Sequence, residues 1–337
     1  MKKGNVYGSF GILPKEEMLE VKQNFQRLNI GIPKESSFQE NRIAITPSAV
    51  SLLTHNGHKI IIESEAGNQA NFSDEEYSKS GAKIVFSKEE VYQSDIIVKI
   101  EPPTKSELKL LKKGQQLISA IQLKTRDKEY FDTLLKKNIT SLAIEKIKDK
   151  EGNLSLLRCM GEIAGTTSLL IASEYLSNVN EGKGLLLGSI TGVSPTDIVI
   201  IGAGTVGEFA ARTAIGLGAN VRVFDNSLSR LRRLQQSLNQ RISTSTIQPK
   251  SLRKALMRAD VAIGALRTGE GRTPCVVSDE MVEGMKEGSV IIDVSIDHGG
   301  CFETSEVTSH KSPTFIKHDV IHYCVPNIPS RVARTSS

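Results

Sequence analysis

Three glycines in the second half of the chain have the spacing of a phosphate-binding turn. Gly202, Gly204 and Gly207 form a GxGxxG pattern after the apolar run 198–201 and before a segment with helical character. The first glycine of such a pattern allows a tight turn, the second lets the backbone approach a pyrophosphate, and the third lets helix and strand pack closely. The diphosphate binds to unpaired N–H groups at the helix N-terminus. We therefore predict dinucleotide contacts from Gly202, Gly204, Thr205, Val206 and Gly207.

Asp225 indicates which dinucleotide binds. It follows the apolar strand 221–224 and lies 23 residues after Gly202, close to the roughly 20 expected for a carboxylate that binds the ribose hydroxyls. Its charge would repel the 2′-phosphate of NADP, so the sequence favours NAD as the cofactor. Arg222 and Arg230 lie near it in sequence and keep NADP open as an alternative. Arg230 is included among the predicted cofactor-binding residues.

Length and composition indicate a globular chain of two domains. The protein has 337 residues, a hydrophobic fraction of 39% and a charged fraction of 24%, values typical of water-soluble proteins. No apolar run approaches the ~18 residues of a membrane span, and no signal peptide follows the basic start. The four cysteines have neither CxxC nor zinc-ligand spacing. We expect a cytoplasmic protein with free thiols, no metal site and no membrane contact.

The net charge of +5 is partly concentrated in one tract. Residues 226–259 contain no acid, whereas they contain eight basic residues: Arg230, Arg232, Arg233, Arg241, Lys250, Arg253, Lys254 and Arg258. Such a tract could attract a polyanion. Solvated faces of two helices are the simpler interpretation, because no nucleic-acid-binding motif accompanies the charges. We therefore expect no nucleic-acid partner.

Alternating apolar and amphipathic segments predict two α/β units. Residues 1–27 form an N-terminal extension with a candidate helix at 15–27. Strands and helices alternate over residues 28–155, which predicts a first domain with a parallel sheet. A helix at 163–176 leads into a second domain, 156–330, with the strand–glycine turn–helix–strand order of a Rossmann domain. The fold class is therefore α/β, with two doubly wound parallel-sheet domains.

Five segments carry a family resemblance: GIPKE (31–35), ENRIAITP (40–47), GAGTVG (202–207), DVSIDHGGCFE (293–303) and YCVPNIP (323–329). Together they resemble the family of alanine dehydrogenase and the NAD-binding subunit of nicotinamide nucleotide transhydrogenase. The resemblance implies that the second domain is inserted into the first, a substrate domain that residues 331–337 resume. Members of this family continue into C-terminal helices, which we expect to be missing here. It also implies a homo-oligomer, such as a hexamer, and an active site in the cleft between the domains.

The resemblance assigns roles to individual residues. Arg42 matches the arginine that holds the substrate carboxylate, a role suited to a guanidinium because it offers two parallel hydrogen bonds. Asp297, after the strand 290–294, matches the catalytic aspartate and falls where ligands bind in such sheets. His298 follows it as a further candidate that could titrate near neutral pH. Asn327 matches a position expected to contact the cofactor.

Two positions depart from the family pattern. Alanine dehydrogenases carry a substrate-binding lysine where this chain has Glu101, and a catalytic histidine where it has Gln122. A glutamine can hydrogen-bond a carbonyl but cannot exchange a proton near pH 7. Since residues i and i±2 of a strand share a face, Lys99 and Lys124 could supply part of the missing charge. The predicted catalytic residues are therefore Asp297, Arg42, Gln122 and Lys99.

These assignments predict an NAD-dependent amino-acid dehydrogenase. The expected reaction is the reversible oxidative deamination of L-alanine to pyruvate and ammonia, impaired or altered by Glu101 and Gln122. A dehydrogenase of a different amino acid is one alternative. The other is an NAD(H)-binding protein without this reaction, either a transhydrogenase-like subunit or an NAD(H)-dependent regulator.

Overall fold

A computed structural model of the protein describes residues 27–37, 39–123, 126–267 and 271–337. They contain two sheets of parallel strands with helices between them, which confirms the predicted fold class. Nearly all of the expected N-terminal extension and its candidate helix lies outside the described residues, as does Lys124.

The first sheet has six parallel strands in the order β3-β2-β1-β4-β5-β6. The strands are β1 Asn29–Ile32, β2 Lys59–Glu63, β3 Lys83–Val85, β4 Ile96–Val98, β5 Gln116–Ser119 and β6 Thr140–Ala143. The helices between them are α1 Pro47–His55, α2 Asp74–Lys79, α3 Lys88–Val91, α4 Lys105–Leu110 and α5 Lys128–Lys136. The strand order reverses between β1 and β4, and ligands bind beside such a reversal at the carboxyl ends of the strands.

Local chemistry explains several of these elements. α2 and α4 begin with capping boxes, in which Ser73 and Thr104 each exchange hydrogen bonds with a glutamate three residues later. α1 begins at Pro47, whose fixed φ suits a first helical turn. β1 passes close to α3, because a Cβ at Gly31 would lie 2.5 Å from the carbonyl oxygen of Val91. The third residue of β1 is therefore required to be glycine.

A 22-residue helix, α6 Ser155–Leu176, connects the two sheets. The sequence predicted a helix only from residue 163. In the structure those residues form the partly exposed first turns of the helix, and its second half is buried. α6 packs along the first helix of the second sheet and so connects both halves of the molecule.

The second sheet has seven strands in the order β12-β13-β11-β10-β7-β8-β9, and only β12 is antiparallel to its neighbour. The strands are β7 Asp197–Ile201, β8 Asn220–Phe224, β9 Ser243–Ser245, β10 Val261–Gly264, β11 Val290–Asp293, β12 Thr314–Lys317 and β13 Val320–Tyr323. The helices are α7 Thr205–Gly216, α8 Leu228–Ser237, α9 Pro249–Leu256 and α10 Asp279–Glu283. β9 was not predicted, because its three residues, Ser-Thr-Ser, have no apolar pattern.

The last ten residues return to the first sheet. Ala333 in α11 Ala333–Ser336 is buried in the hydrophobic core of that sheet, and the Arg334 guanidinium lies 4.3 Å from the centre of the Phe72 ring. The second sheet is thus inserted between two parts of the first unit, while the predicted boundary at residues 155–156 stays a prediction. No helix of the described part of the chain is long and apolar enough to cross a membrane.

Candidate functional site

The glycine pattern forms the turn between β7 and α7. Gly202 has a positive φ of 116°, and a Cβ there would lie 2.4 Å from the carbonyl oxygen of Ala265. A Cβ at Gly207 would lie 1.8 Å from the carbonyl oxygen of Gly202, so α7 contacts the turn that precedes it. Gly204 is the N-cap of α7, and a Cβ there would meet no atom within 4 Å. Two of the glycines are therefore required by packing, and Gly204 leaves open space.

That open space suits a dinucleotide. α7 is 12 residues long, and Thr205 and Val206 occupy its first two positions, where the N–H groups have no partner within the helix. A pyrophosphate at this end would accept hydrogen bonds from those N–H groups. The positive end of the helix dipole would stabilise its charge. The residues present therefore fit the diphosphate of NAD, with the glycine at 204 leaving room for it.

Asp225 connects the turn to the end of β8. Its Oδ2 accepts the N–H of Ala203 at 2.8 Å, and its Oδ1 accepts the N–H of Ser227 at 2.7 Å. The carboxylate is buried, and Arg230 Nη1 lies 3.8 Å from Oδ2. Asp225 therefore stands at the expected ribose position beside the glycine turn. The half-exposed Arg230 lies beside it.

The sequence analysis did not predict that α6 packs against the glycine turn. A Cβ at Gly165 of α6 would lie 2.4 Å from the carbonyl oxygen of Val206, and one at Gly161 would lie 3.3 Å from the Thr205 side chain. Residues four apart share one face of a helix, so these two glycines let α6 pass directly against the start of α7. The Gly-x-x-x-Gly spacing inside an apolar helix was the available signal.

Arg42 and Glu40 form a buried ion pair in the loop before α1. Arg42 Nε donates to Glu40 Oε1 at 2.8 Å and Nη2 donates to Oε2 at 2.5 Å, while Nη1 points to the Met160 sulfur at 3.1 Å. Burial alone would lower the pKa of Arg42, but the hydrogen bonds and charge of Glu40 outweigh it and raise that pKa. The guanidinium is therefore charged and held in one orientation.

Asn327 joins this ion pair to the second sheet. Its side-chain amide donates to Glu40 Oε2 at 2.9 Å, and its backbone N–H donates to Asp297 Oδ1 at 3.0 Å. The residue has a left-handed backbone with φ 57°, a conformation that asparagine tolerates better than most residues. Glu40, Arg42, Asp297 and Asn327 are called the inter-sheet site below. Arg42 and Asp297, two predicted catalytic residues that lie 255 positions apart in sequence, are thus linked through Glu40 and Asn327.

The loop that carries Asp297 is organised by a second aspartate. Asp293, buried at the end of β11, accepts N–H groups from Ser295 and Cys301 at 3.0 Å each and the hydroxyl of Ser305 at 2.7 Å. The chain then forms a 3₁₀ turn, Val294–His298, that presents Asp297 and His298 at the surface of the site. Surrounding protein raises the pKa of Asp297, opposed by the Asn327 N–H and by nearby positive charges that include Arg42. Asp297 is therefore suited to take up a proton.

Glu101 and Gln122 belong to one hydrogen-bonded group. Gln122 Nε2 donates to Glu101 Oε2 at 3.0 Å, and Arg126 Nη2 donates to Gln122 Oε1 at 3.1 Å. Gln122 has a positive φ of 49°, and its backbone N–H donates to Glu145 Oε1 at 3.0 Å. Burial, together with the charge of Glu40, raises the pKa of Glu101, although Arg42 and Gln122 oppose this. We call Glu101, Gln122, Arg126 and Glu145 the glutamine group; its charges are close enough to act on the inter-sheet site.

Lys99 does not lie with Glu101 in the glutamine group. The prediction that the two side chains face the same way is therefore wrong. Its side chain is 0% exposed, and its ammonium lies 2.9 Å from Glu107 Oε2 and 3.5 Å from Glu35 Oε2. β4 ends at Val98, so the alternation of strand side chains does not extend to Glu101. In this position the lysine balances two buried carboxylates. Burial raises the pKa of Glu35 to about 7, although Lys99 opposes this.

The inter-sheet site holds no arrangement of metal ligands. Within the described residues, no group of three or more histidine, cysteine, aspartate or glutamate side chains is placed to hold a metal ion. The site instead combines a charged guanidinium, a carboxylate whose pKa is raised, and a neighbouring turn fitted to a dinucleotide. This arrangement can hold an anionic substrate beside a bound cofactor and accept a proton from it.

Comparison with known proteins extends this description to nearly the whole chain. Residues 31–164 match the family described as alanine dehydrogenase/PNT, N-terminal domain, and residues 168–337 match its C-terminal domain. An alanine dehydrogenase of Mycolicibacterium smegmatis is 40% identical over 309 residues, which are 91% of this chain and 83% of that protein. One of Methanococcus maripaludis is 41% identical over 310 residues, with the same two coverages.

Solved structures show the same likeness. An L-alanine dehydrogenase superposes with a TM-score of 0.85 at 37% identity, covering 91% of this chain and 85% of the other. A transhydrogenase from Sinorhizobium meliloti superposes with a TM-score of 0.81 at 24% identity, covering 91% and 89%. At that identity the second likeness shows a shared fold alone.

Proposed function

The chain belongs to the alanine dehydrogenase/PNT family, and from this premise we propose that it is an NAD-dependent amino-acid dehydrogenase that oxidises L-alanine. The reaction is L-alanine + NAD⁺ + H₂O → pyruvate + NADH + NH₄⁺ + H⁺, and it is reversible. The observation that carries the proposal is the hydrogen-bonded chain that links Arg42 to Asp297 through Glu40 and Asn327, in the molecule whose glycine turn fits NAD.

Arg42 would hold the substrate carboxylate. A guanidinium has five N–H groups, and in this structure Glu40 takes two of them through Nε and Nη2. A third N–H, on Nη1, points to the Met160 sulfur. One N–H of Nη1 and one of Nη2 remain and can donate together to a carboxylate. Glu40 and Asn327 hold the guanidinium in one direction. Such fixed orientation is what positions a substrate for reaction.

Asp297 would accept the proton that the reaction releases at the substrate nitrogen and at the attacking water. NAD⁺, when bound, accepts the hydride from the substrate Cα. The carboxylate of Asp297 is accessible yet surrounded by protein, and its raised pKa brings its proton affinity closer to that of the groups it must serve. The N–H of Asn327 orients the carboxylate.

One observation favours a second candidate, the oxidation of an amino acid with a second amino group. The glutamine group places the Glu101 carboxylate where its charge acts on Arg42 and Glu40. A carboxylate there repels the substrate carboxylate but attracts a cation, so it would favour a diamino acid such as ornithine or lysine over alanine. Gln122 and Arg126 hold Glu101 in place.

The test is NADH formation from NAD⁺ with a panel of amino acids that includes alanine, ornithine and lysine. The proposal expects alanine oxidation that is slower than in a relative with lysine and histidine at positions 101 and 122. Arg42→Lys keeps the charge opposite Glu40 but loses the planar donor pair, so it should raise KM for the amino acid. Arg233→Gln, on the exposed side of α8, is the matched control. The absence of any amino-acid-dependent NADH formation by a protein that binds NADH would contradict the proposal.

We also propose that the chain assembles into a homo-oligomer such as a hexamer. Large apolar side chains are exposed around the segment that follows α6: Val179 is 87% exposed, Leu186 61%, Ile190 57% and Val193 65%. Apolar side chains concentrated in this way commonly mark a contact surface between proteins. Light scattering that gives the mass of one chain at micromolar concentration would contradict this.

The remaining assignments are proposals of the same kind. We place the protein in the cytoplasm, where a reducing environment keeps cysteines as thiols, and its four cysteines are free thiols. We divide the chain into a substrate domain of residues 28–155 with 331–337 and an NAD-binding domain of residues 156–330.

A further inference from the structure

A second concave site lies on the edge of the second sheet opposite the glycine turn. A cavity of about 410 Å³ opens at the amino ends of β7 and β8, whereas the glycine turn follows the carboxyl end of β7. Its lining includes Val199, Arg222 and Ser243, which are register partners across β7, β8 and β9. The proposed dehydrogenase reaction uses none of these residues.

An arginine is unexpected at position 222, within a parallel strand. Parallel strands of doubly wound sheets are covered on both faces and are almost continuously apolar, and the neighbours of Arg222 in β8, Val223 and Phe224, are buried. Arg222 is instead exposed and lines the cavity. Within the described part of the chain, no carboxylate lies within 4.0 Å of its guanidinium.

Two further arginines line the same cavity, and a third lines an adjoining one. Arg241 and Arg258 also line the cavity, and Arg241 is shared with an adjoining cavity of about 400 Å³ that Arg232 lines. Among the described residues none of these arginines has an ion-pair partner. The one acid in either lining is Asp197, which accepts a hydrogen bond from the Asn220 amide at 3.3 Å. The two linings thus contain four guanidinium groups and one carboxylate.

We propose that this arginine cavity, formed by Arg222, Arg241 and Arg258 with Arg232 beside it, binds an oligophosphate. A guanidinium recognises a phosphate through two parallel hydrogen bonds, and several of them around one opening can each contact a different phosphoryl group. A chain of two or three phosphates fits this spread of charge better than a single phosphate. The ligand is a free oligophosphate or the phosphate chain of a nucleotide, and it is separate from NAD, which binds at the opposite edge of the sheet.

The experiment measures tripolyphosphate binding by calorimetry to the full chain saturated with NADH, at about 0.15 M salt to screen diffuse attraction. ATP is the second probe, because it carries the same phosphate chain on a nucleoside. The cavity variant is Arg222→Gln/Arg241→Gln/Arg258→Gln. The control variant, Lys250→Gln/Arg253→Gln/Lys254→Gln, removes the same charge from the acid-free tract 226–259, at residues outside both linings.

The proposal expects tripolyphosphate to bind the unaltered chain, with its affinity lowered at least about 100-fold in the cavity variant. The control variant should stay within about threefold of the unaltered chain. Tighter binding of ATP than of tripolyphosphate would identify the ligand as a nucleotide, and equal binding would identify a free oligophosphate; both support the cavity. If the strand substitution at Arg222 unfolds the protein, Arg241→Gln/Arg258→Gln is compared with Lys250→Gln/Lys254→Gln instead.

Three results would overturn it. The first is no binding of either probe at about 1 mM to the folded, NADH-saturated chain. The second is an equal loss of affinity in the cavity and control variants, since that describes a diffuse basic surface. The third is duplex DNA binding more tightly than both probes and weakening equally in both variants, since the partner would then be a nucleic acid held by the whole basic tract.

Discussion

Alanine substitutions at two glycines of the same turn should have opposite consequences. At Gly204 the added Cβ meets no protein atom within 4 Å, and φ −79° with ψ −167° is extended backbone that any residue adopts. At Gly207 the added Cβ would lie 1.8 Å from the carbonyl oxygen of Gly202. Gly204→Ala should therefore keep the stability of the fold and weaken cofactor binding, whereas Gly207→Ala should destabilise the fold.

The structure sets the size of both effects. Losing glycine at an N-cap costs up to about 1 kcal/mol, and the smaller entropy of the unfolded alanine chain returns about 0.4–1 kcal/mol. Gly204→Ala should thus change the free energy of unfolding by less than about 1 kcal/mol. In Gly207→Ala the backbone must move further than it does to accommodate an ordinary overpacked side chain. We expect this to lower the free energy of unfolding by about 3 kcal/mol or more. At about 2–4 °C per kcal/mol, its melting temperature should fall by at least about 6 °C.

Calorimetry with NADH and thermal unfolding measure the two effects separately. A methyl group in the space for the pyrophosphate should displace at least one charge-assisted hydrogen bond of about 1.5–3 kcal/mol, so Gly204→Ala should weaken NADH at least about tenfold. Gly216→Ala is the matched control, because it lies at the end of α7 with no atom within 4 Å of its added Cβ; it should keep NADH affinity. Unchanged NADH affinity in Gly204→Ala would refute the placement of the pyrophosphate, and a fully stable Gly207→Ala would refute the packing argument.

The remaining predictions concern the charged groups. Glu101→Lys with Gln122→His should raise alanine turnover measurably, since general acid–base catalysis contributes about 10²–10⁴-fold; a folded, NADH-binding double variant with no gain for any amino acid would favour a binding protein. Asp297→Asn should abolish turnover while keeping NADH affinity, and in the unaltered enzyme kcat/KM should rise with pH as the raised pKa of Asp297 is passed; a rate that survives in Asp297→Asn would show another proton acceptor. Burial raises the pKa of Glu35 from 4.5 to about 7, so the folded state binds a proton more tightly than the unfolded state and loses stability, up to about 3 kcal/mol, as pH rises through that window. Glu35→Gln should flatten this loss in denaturant titrations between pH 5 and 8, and a slope equal to that of the unaltered chain would contradict the assignment.

The glycine turn was predictable because all its determinants are local. A strand, three glycines, a helix and Asp225 lie within 28 residues, and each follows from backbone sterics. The contact between Glu40 and the second sheet was not predictable in the same way, since Asn327 is 287 residues away from Glu40 and reaches it only after both sheets have formed. Lys99 was misplaced because the alternation rule was applied beyond the end of β4.

The position of Arg222 in β8 could not be predicted from a sequence pattern either. Within the sequence, Arg222 is one basic residue near a tract of others, and its neighbours suggest only a strand. Its significance depends on register, because pairing with Val199 and Ser243 places it on the face that carries a cavity. Such placement depends on three strands and cannot be read from one.

The most direct test of the proposed reaction follows the hydrogen atom that alanine loses. L-alanine with deuterium at Cα is incubated with NAD⁺ and the unaltered chain, and the cofactor and keto acid are analysed by mass spectrometry. The account predicts one deuterated NADH for each pyruvate and each ammonium formed, in a reaction lost in Asp297→Asn. Alanine that stays unconsumed, or pyruvate that forms while the deuterium enters water instead of the cofactor, would contradict it.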